Sequence, residues 1–387
     1  MYDFGMATRM AWVLNSGFWS VDGSCFFDKG EAYRFATRTQ KRNIKYHYFD
    51  EVYGTVNWDI EPPQPLDYYY TQRALELRDK YEYVALSFSG GADSTNVLRT
   101  FIKNKIKLDE VVVWYPVTYA EKVLGNFNPH DKSAGNIIYE YHTACLPVLK
   151  WLATNHPDIK ITVLDYTETP FNMVQSDSMR DARMSGSLSH AMSTGQYLMT
   201  DHLRKVNKKV CQLLAVDKPR IKYNKKLKRW ECYFHDFNNM MCRWGPESFN
   251  RTEPKTEYFY YAPTMPMLLV KQCYVIRHAM MMQNYIPDAL DSPDGSSIIF
   301  WPHTDFIKKA IYPEWDTSIF QAEKASKFFY HEHTQWFLDS IKNDKRMMDF
   351  YEGQLDEMKS GIAPDLLDYE DGRAVRFKDV FSRYYYF

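Results

Sequence analysis

The chain has 387 residues, with 48 Lys and Arg against 49 Asp and Glu, so its formal charge is −1. That balance excludes a protein that coats nucleic acid through bulk positive charge. Charged residues make up 25% and hydrophobic residues 45% of the chain, ordinary globular values that predict packed apolar cores and no intrinsic disorder.

The length predicts one α/β domain of roughly 200 residues with appended segments, or two domains. The 30 Tyr, 24 Phe and 10 Trp are unusually many. They suit stacking on rings as well as packing, and aromatic-rich cores and interfaces are the simpler reading. No run approaches the ~18 apolar residues of a membrane span, and the apolar run at 10–14 is too short for a secretory signal. A cytoplasmic protein without membrane attachment is expected. Cys25, Cys145, Cys211, Cys232, Cys242 and Cys273 are scattered rather than framed, which predicts reduced thiols and no disulfides.

In chain order, residues 1–64 mix short strand-like runs with turn signals such as Val21-Asp22-Gly23, and end in the proline-dense connector Glu61-Pro62-Pro63-Gln64-Pro65. An N-terminal accessory layer is expected there. Residues 66–80 read as a helix, 83–88 as a β-rich strand, and 92–102 as a helix with Val97, Leu98, Phe101 and Ile102 on one face. A second strand follows at 110–115, a helix at 137–154, a third strand at 159–165, a polar stretch at 176–189, a helix to about 205, and a fourth strand at 210–216. This βαβαβαβ order implies a Rossmann-like parallel sheet with helices on both faces, in a domain over 65–220.

Beyond Pro219 the pattern changes. A β-hairpin insertion with the basic loop 224–229 is expected over 221–240, then a mostly helical C-terminal region over 241–387 that caps the site or selects the substrate. Within that region, 263–285 is apolar and rich in methionine, which predicts a packed helical core.

The motif with chemical content is Ser89-Gly90-Gly91-Ala92-Asp93-Ser94, placed between a strand and a helix. Two glycines permit a tight turn with open backbone N–H groups, and the helix N-terminus adds its positive dipole end, so the loop suits an anion. Ser89 and Ser94 add hydroxyl donors. Asp93 would repel a phosphate unless it holds a cation such as Mg²⁺ or caps the loop. For an isolated SGG, a plain glycine turn capped by Asp93 or Ser94 explains the residues equally well.

SGGADS resembles the SGGxDS signature of the PP-loop ATP pyrophosphatases, a superfamily that includes asparagine synthetase, GMP synthetase, 7-cyano-7-deazaguanine synthase and the PAPS reductases. The resemblance covers about 80–220, with YVALSFSGGADSTNVLRTFI as strand, loop and helix. Together with AVDKPRI at 215–221, it is similar to phage-encoded asparagine-synthase-like or PAPS-reductase-like proteins. It implies the adenine nucleotide alpha hydrolase-like fold, ATP and Mg²⁺ as cofactors, and α–β bond cleavage. A substrate carboxylate or carbonyl oxygen is adenylated, and an amine or ammonia then displaces AMP.

On this chain the resemblance makes Ser89, Gly90, Gly91, Asp93 and Ser94 the pyrophosphate and Mg²⁺ contacts. Ligands of open α/β sheets lie at the carboxyl ends of the strands. That rule singles out Tyr115 for the adenine, Asp165 after the third strand, and Lys218 and Arg220 of Asp217-Lys218-Pro219-Arg220 as cations for the leaving pyrophosphate. A solvated strand end is the alternative for that turn. Arg180 and Arg183, in the polar stretch, are candidate substrate contacts.

Other constellations are weaker. Cys232, His235 and Cys242, with Cys211 or Cys273, could supply four zinc ligands but contain no CxxC pair. His331 and His333 point to different helix faces. The basic hairpin, with Tyr223 and Trp230, could contact nucleic acid by stacking, although overall charge gives that no support. Residue 2 is Tyr rather than the glutaminase Cys, so free ammonia, another amine or a partner glutaminase is expected. The missing paired zinc cysteines disfavour 7-cyano-7-deazaguanine synthase, and the C-terminal RYYYF lacks the PAPS-reductase thiol. The acceptor, a small molecule or a nucleobase, stays open, as does self-association into a homo-oligomer. Alternatives to the ligase are sulfur transfer, base modification, and a non-catalytic module that sequesters an adenine nucleotide.

Overall fold

A computed structural model describes residues 2–121, 140–168, 198–216, 218–236, 254–282, 298–300, 305–312, 314–315, 332–370 and 373–387. The chain is a mixed α/β protein built around a five-stranded, all-parallel sheet flanked by helices.

The N-terminal layer is a three-stranded antiparallel sheet of β1 (Phe18–Val21), β2 (Ser24–Phe26) and β3 (Ile44–His47), flanked by helices Phe4–Leu14 and Lys29–Arg38. The Asp22-Gly23 turn joins β1 to β2 with both residues at positive φ (49° and 83°), the twist that suits a tight hairpin. Each helix is N-capped by the residue before it, Asp3 accepting from the Met6 N–H and Asp28 from the Glu31 N–H.

After the proline connector, helix Leu66–Lys80 leads into β4 (Tyr83–Ser87), helix Ala92–Lys103 and β5 (Glu110–Tyr115). A π-helical turn, Tyr141–Cys145, continues as helix Leu146–Asn155 and leads to β6 (Lys160–Asp165). Helical residues 198–204 precede β7 (Val210–Leu214). The apolar runs of β4, β5 and β7 are buried because both sheet faces are covered there, whereas the edge strand β6 is largely exposed or half-buried. Val84, Leu86, Val111, Val113 and Leu213 face the main core with helix residues Leu77, Val97, Phe101 and Leu152. Ala85, Val112 and Val210 face the opposite side, where Met199 and Leu203 cover them.

The sheet order is β10-β7-β4-β5-β6, with β10 at Lys255–Tyr258. Counted along the chain this is 5-4-1-2-3, which reverses direction between β4 and β7. The four expected strands are present, and β10 is a fifth from beyond the expected domain limit at 220. Its KTEY sequence is short and polar because one side is an edge, so it carries little of the continuous apolar signal of an inner strand.

The hairpin is also more than an insertion. β8 (Arg220–Asn224) and β9 (Arg229–Tyr233) form the centre of a four-stranded antiparallel sheet, flanked by β11 (Ile298–Phe300) and by β14 (Tyr385–Tyr386) at the chain's end. The C-terminal region has helices Pro266–Met282, Asp305–Ile311, Glu332–Ile341 and Lys345–Lys359. It is not helical throughout, because β12 (Leu367–Glu370) pairs with β13 (Arg373–Phe377) and β14 closes the hairpin sheet. The methionine-rich segment is the expected helix, with Met280 buried but Met281 and Met282 exposed.

Many aromatic residues pack at the junction of these layers. Phe234 lies 4.7 Å from Tyr48 and 4.6 Å from Tyr53 between ring centroids, and Trp58 stacks on Tyr385 at 5.0 Å. No helix among the described residues is long and apolar enough to cross a membrane.

Candidate functional site

Because the sheet is parallel, the loops after β4, β5, β6, β7 and β10 emerge from one edge. The strand order reverses between β4 and β7, and an open α/β sheet usually takes its ligand at such a reversal. The SGGADS loop follows β4, and Lys218 follows β7.

Gly90 sits at φ +81°, and a Cβ there would lie 2.6 Å from the backbone nitrogen of Cys145, so only glycine fits. Gly91 is the N-cap of helix Ala92–Lys103, and no side chain caps this terminus. Its first N–H groups therefore keep the donor capacity that a capped helix would satisfy internally. The Gly91 N–H donates to Ser89 Oγ at 3.2 Å, and the Ser94 hydroxyl lies 3.3 Å from Ser89 Oγ and donates to the Gly91 carbonyl at 3.2 Å. These serines brace the loop. Glu140 also borders it, its Oε1 3.3 Å from where a Cβ on Gly91 would stand.

The Asp93 side chain is 24% exposed, and the Lys218 side chain, 3% exposed, donates from Nζ to Asp93 Oδ2 at 2.5 Å. The Tyr312 hydroxyl donates to Asp93 Oδ1, and the Tyr260 hydroxyl donates to the Asp93 carbonyl at 2.9 Å. Lys218 is held in turn by its backbone, whose carbonyl accepts from Tyr261 at 2.5 Å. Burial, followed by the Asp93 charge and neighbouring tyrosines, raises the Tyr312 phenol well above its ordinary value, so it stays a donor. Tyr260 is raised in the same way, by burial and then by Tyr70 and Asp93.

The structure thus brings Ser89, Gly90, Gly91, Asp93, Ser94 and Lys218 together. Arg220, the first residue of β8, is half-buried in the second sheet, opposite Tyr233. Tyr115 is 3% exposed and stacks on Tyr141 at 3.9 Å, while its hydroxyl meets His142 Nε2 at 3.0 Å. One ring face expected for adenine is therefore covered. Desolvation, then Lys150, lowers the His142 pKa, which favours the neutral imidazole at that bond.

Asp165 accepts from the N–H and hydroxyl of both Thr118 and Thr167, at 2.6 to 3.0 Å. Burial would raise its pKa, but these bonds outweigh burial and lower it, the signature of a loop brace. Arg180 and Arg183 lie outside the described residues, as do Asp217, Cys242 and His331.

The cysteine zinc set, already weak in the sequence, does not assemble among the described residues. Cys211 is in the parallel sheet and Cys232 in the hairpin sheet, and all five described cysteines are free and buried. His235 is grouped instead with the carboxylates of Asp236 and Asp379. On the hairpin, Trp230 is buried, and Lys222 pairs with Glu231 at 3.1 Å and lies 3.8 Å above the Tyr384 ring, so neither is an open nucleic-acid contact.

Sequence reasoning missed Tyr260, Tyr312 and Glu140. A tyrosine in an apolar run carries no local mark of an aspartate partner, and only proximity in space reveals these three. No protein-family model matches the chain, and no curated protein matches it in sequence.

Proposed function

We propose that this chain is a PP-loop-like, Mg-ATP-dependent enzyme that adenylates a substrate oxygen for amidation or a related ligation. The observation that carries this reading is the convergence of Asp93 and Lys218, 125 positions apart, beside an uncapped helix N-terminus at the strand-order reversal. In this reading the backbone N–H groups of 90–94 and the serine hydroxyls take the polyphosphate, and Lys218 stabilises charge on the departing pyrophosphate.

Mg²⁺ suits Asp93, because this ion is commonly held by one or two protein carboxylates and completed by substrate phosphates. When bound it would neutralise phosphate charge, and Asp93 would be freed from Lys218. The substrate oxygen attacks the α-phosphorus, the α–β bridging bond breaks, and pyrophosphate leaves. An amine then displaces AMP from the adenylate. The chain's own contribution is positioning and electrostatics, with no protein nucleophile required.

Lys218 and Tyr312 together satisfy both Asp93 oxygens, an arrangement that a nucleotide-sequestering module without metal chemistry would also keep. Incubation with Mg²⁺ and α-labelled ATP plus cell extract separates the two. AMP and pyrophosphate are expected. Tight binding without AMP supports sequestration, and neither binding nor turnover overturns both readings.

A further inference from the structure

The end of the β-hairpin sheet gathers polar groups that the nucleotide site does not use. Asp236 follows β9, and its side chain is fully buried. Its Oδ2 accepts from Lys29 Nζ at 2.8 Å and from Trp19 Nε1 at 3.0 Å. Its Oδ1 is buried and has no hydrogen-bond partner among the described residues. A buried carboxylate oxygen left without a donor keeps its full desolvation penalty, so this atom has an unmet demand for a cation or a donor.

That oxygen faces His235, whose Nδ1 lies 3.9 Å away, and His235 Nε2 lies 3.0 Å from Asp379 Oδ2. His235, Asp236 and Asp379 each present one donor atom, and the three atoms lie within 4.8 Å of one another. Ligands about 2.0–2.2 Å from a common ion stand about 3.0–3.6 Å apart in tetrahedral or cis geometry, so the widest pair closes by about 1 Å when the ion binds. The imidazole and carboxylate donors, without a thiol, suit Mn²⁺, Zn²⁺ or Co²⁺ more than a soft ion.

We propose that His235, Asp236 and Asp379 bind one divalent transition-metal ion. The ion joins three parts of the chain: the N-terminal layer through the Lys29 and Trp19 bonds to Asp236, the hairpin through His235 and Asp236, and the C-terminal segment through Asp379. Two of its members are partly exposed, His235 at 16% and Asp379 at 23%, so solvent reaches the group. This site is independent of the ATP reading and needs no nucleotide.

The test uses the full chain, stripped with EDTA and titrated with Mn²⁺ and Co²⁺ without nucleotide. One equivalent should bind, with a rise in melting temperature. In ¹⁵N-histidine-labelled protein, bound Mn²⁺ should show hyperfine coupling to one imidazole nitrogen, a readout that needs no variant. His235→Gln and Asp379→Asn should each weaken binding at least tenfold, whereas Asp93→Asn should leave it unchanged. No saturable binding, no imidazole coupling, or full affinity in both site variants overturns the proposal. Loss of the ion in Asp93→Asn alone would assign it to the nucleotide site and also overturn the proposal.

Discussion

The Asp93–Lys218 pair invites a double-mutant cycle. The ammonium is nearly fully buried and its partner carboxylate only partly so, at 2.5 Å. Breaking a buried pair by removing one charge typically costs about 3–5 kcal/mol, because the remaining charge keeps its desolvation penalty. Water reaches Asp93, so the lower end applies to Asp93→Asn, which takes this carboxylate away from the buried Lys218 charge. Lys218→Met strands a carboxylate that still keeps Tyr312 and some solvent, so it should cost less, about 1–2 kcal/mol. In the double variant neither charge is stranded, and its destabilisation should fall below the sum of the single changes by about 2 kcal/mol. The assay is urea denaturation of the four proteins, provided their m values agree. The same four proteins should differ in ligand binding. Lys218→Met should raise Mg²⁺ affinity while weakening nucleotide binding, since the ammonium and the metal compete for one carboxylate. A coupling energy below about 0.5 kcal/mol, within the scatter for independent sites, would refute the reasoning that these two charges hold each other.

Two further perturbations probe the scaffold. Gly90→Ala combines a φ of +81° with a Cβ 2.6 Å from the Cys145 backbone nitrogen, so a loss of about 2–4 kcal/mol is expected in denaturant unfolding, with weaker nucleotide binding; wild-type stability would contradict the close approach. Burial is the main cause raising the Asp28 carboxyl from 3.8 to about 6, against the backbone bonds it accepts at the helix terminus. The folded state then binds the extra proton, so this group's contribution to stability is greatest below pH 3.8, declines as pH rises to about 6, and is flat above. Asp28→Asn keeps a capping oxygen and removes the charge, so it should be more stable than wild type at pH 7.5 and lose that advantage near pH 4. Equal stability at both pH values would show that Asp28 titrates normally.

The parallel core was legible because β4, β5 and β7 are apolar on both sides, and a strand with two covered faces declares itself by composition alone. The glycine loop was legible for a related reason, since Gly90 and Gly91 mark a backbone conformation rather than a contact. Lys218 was reachable from strand order, because the rule that ligands lie at strand ends needs only the topology. β10 and β14 were not, being short edge strands recruited by partners already in place. The partners of Asp93 had no signal either: Tyr260 and Tyr312 look like core residues in sequence, and their core burial is real. Likewise His235 marked itself as a candidate ligand, but its neighbours Asp236 and Asp379 lie one and 144 positions away. The sequence alone determined which segments become buried strands and where the chain turns, because those depend on local composition and backbone freedom. Which charges meet was decided by the tertiary structure, because a carboxylate finds its cation through space, and spacing along the chain records nothing of that distance.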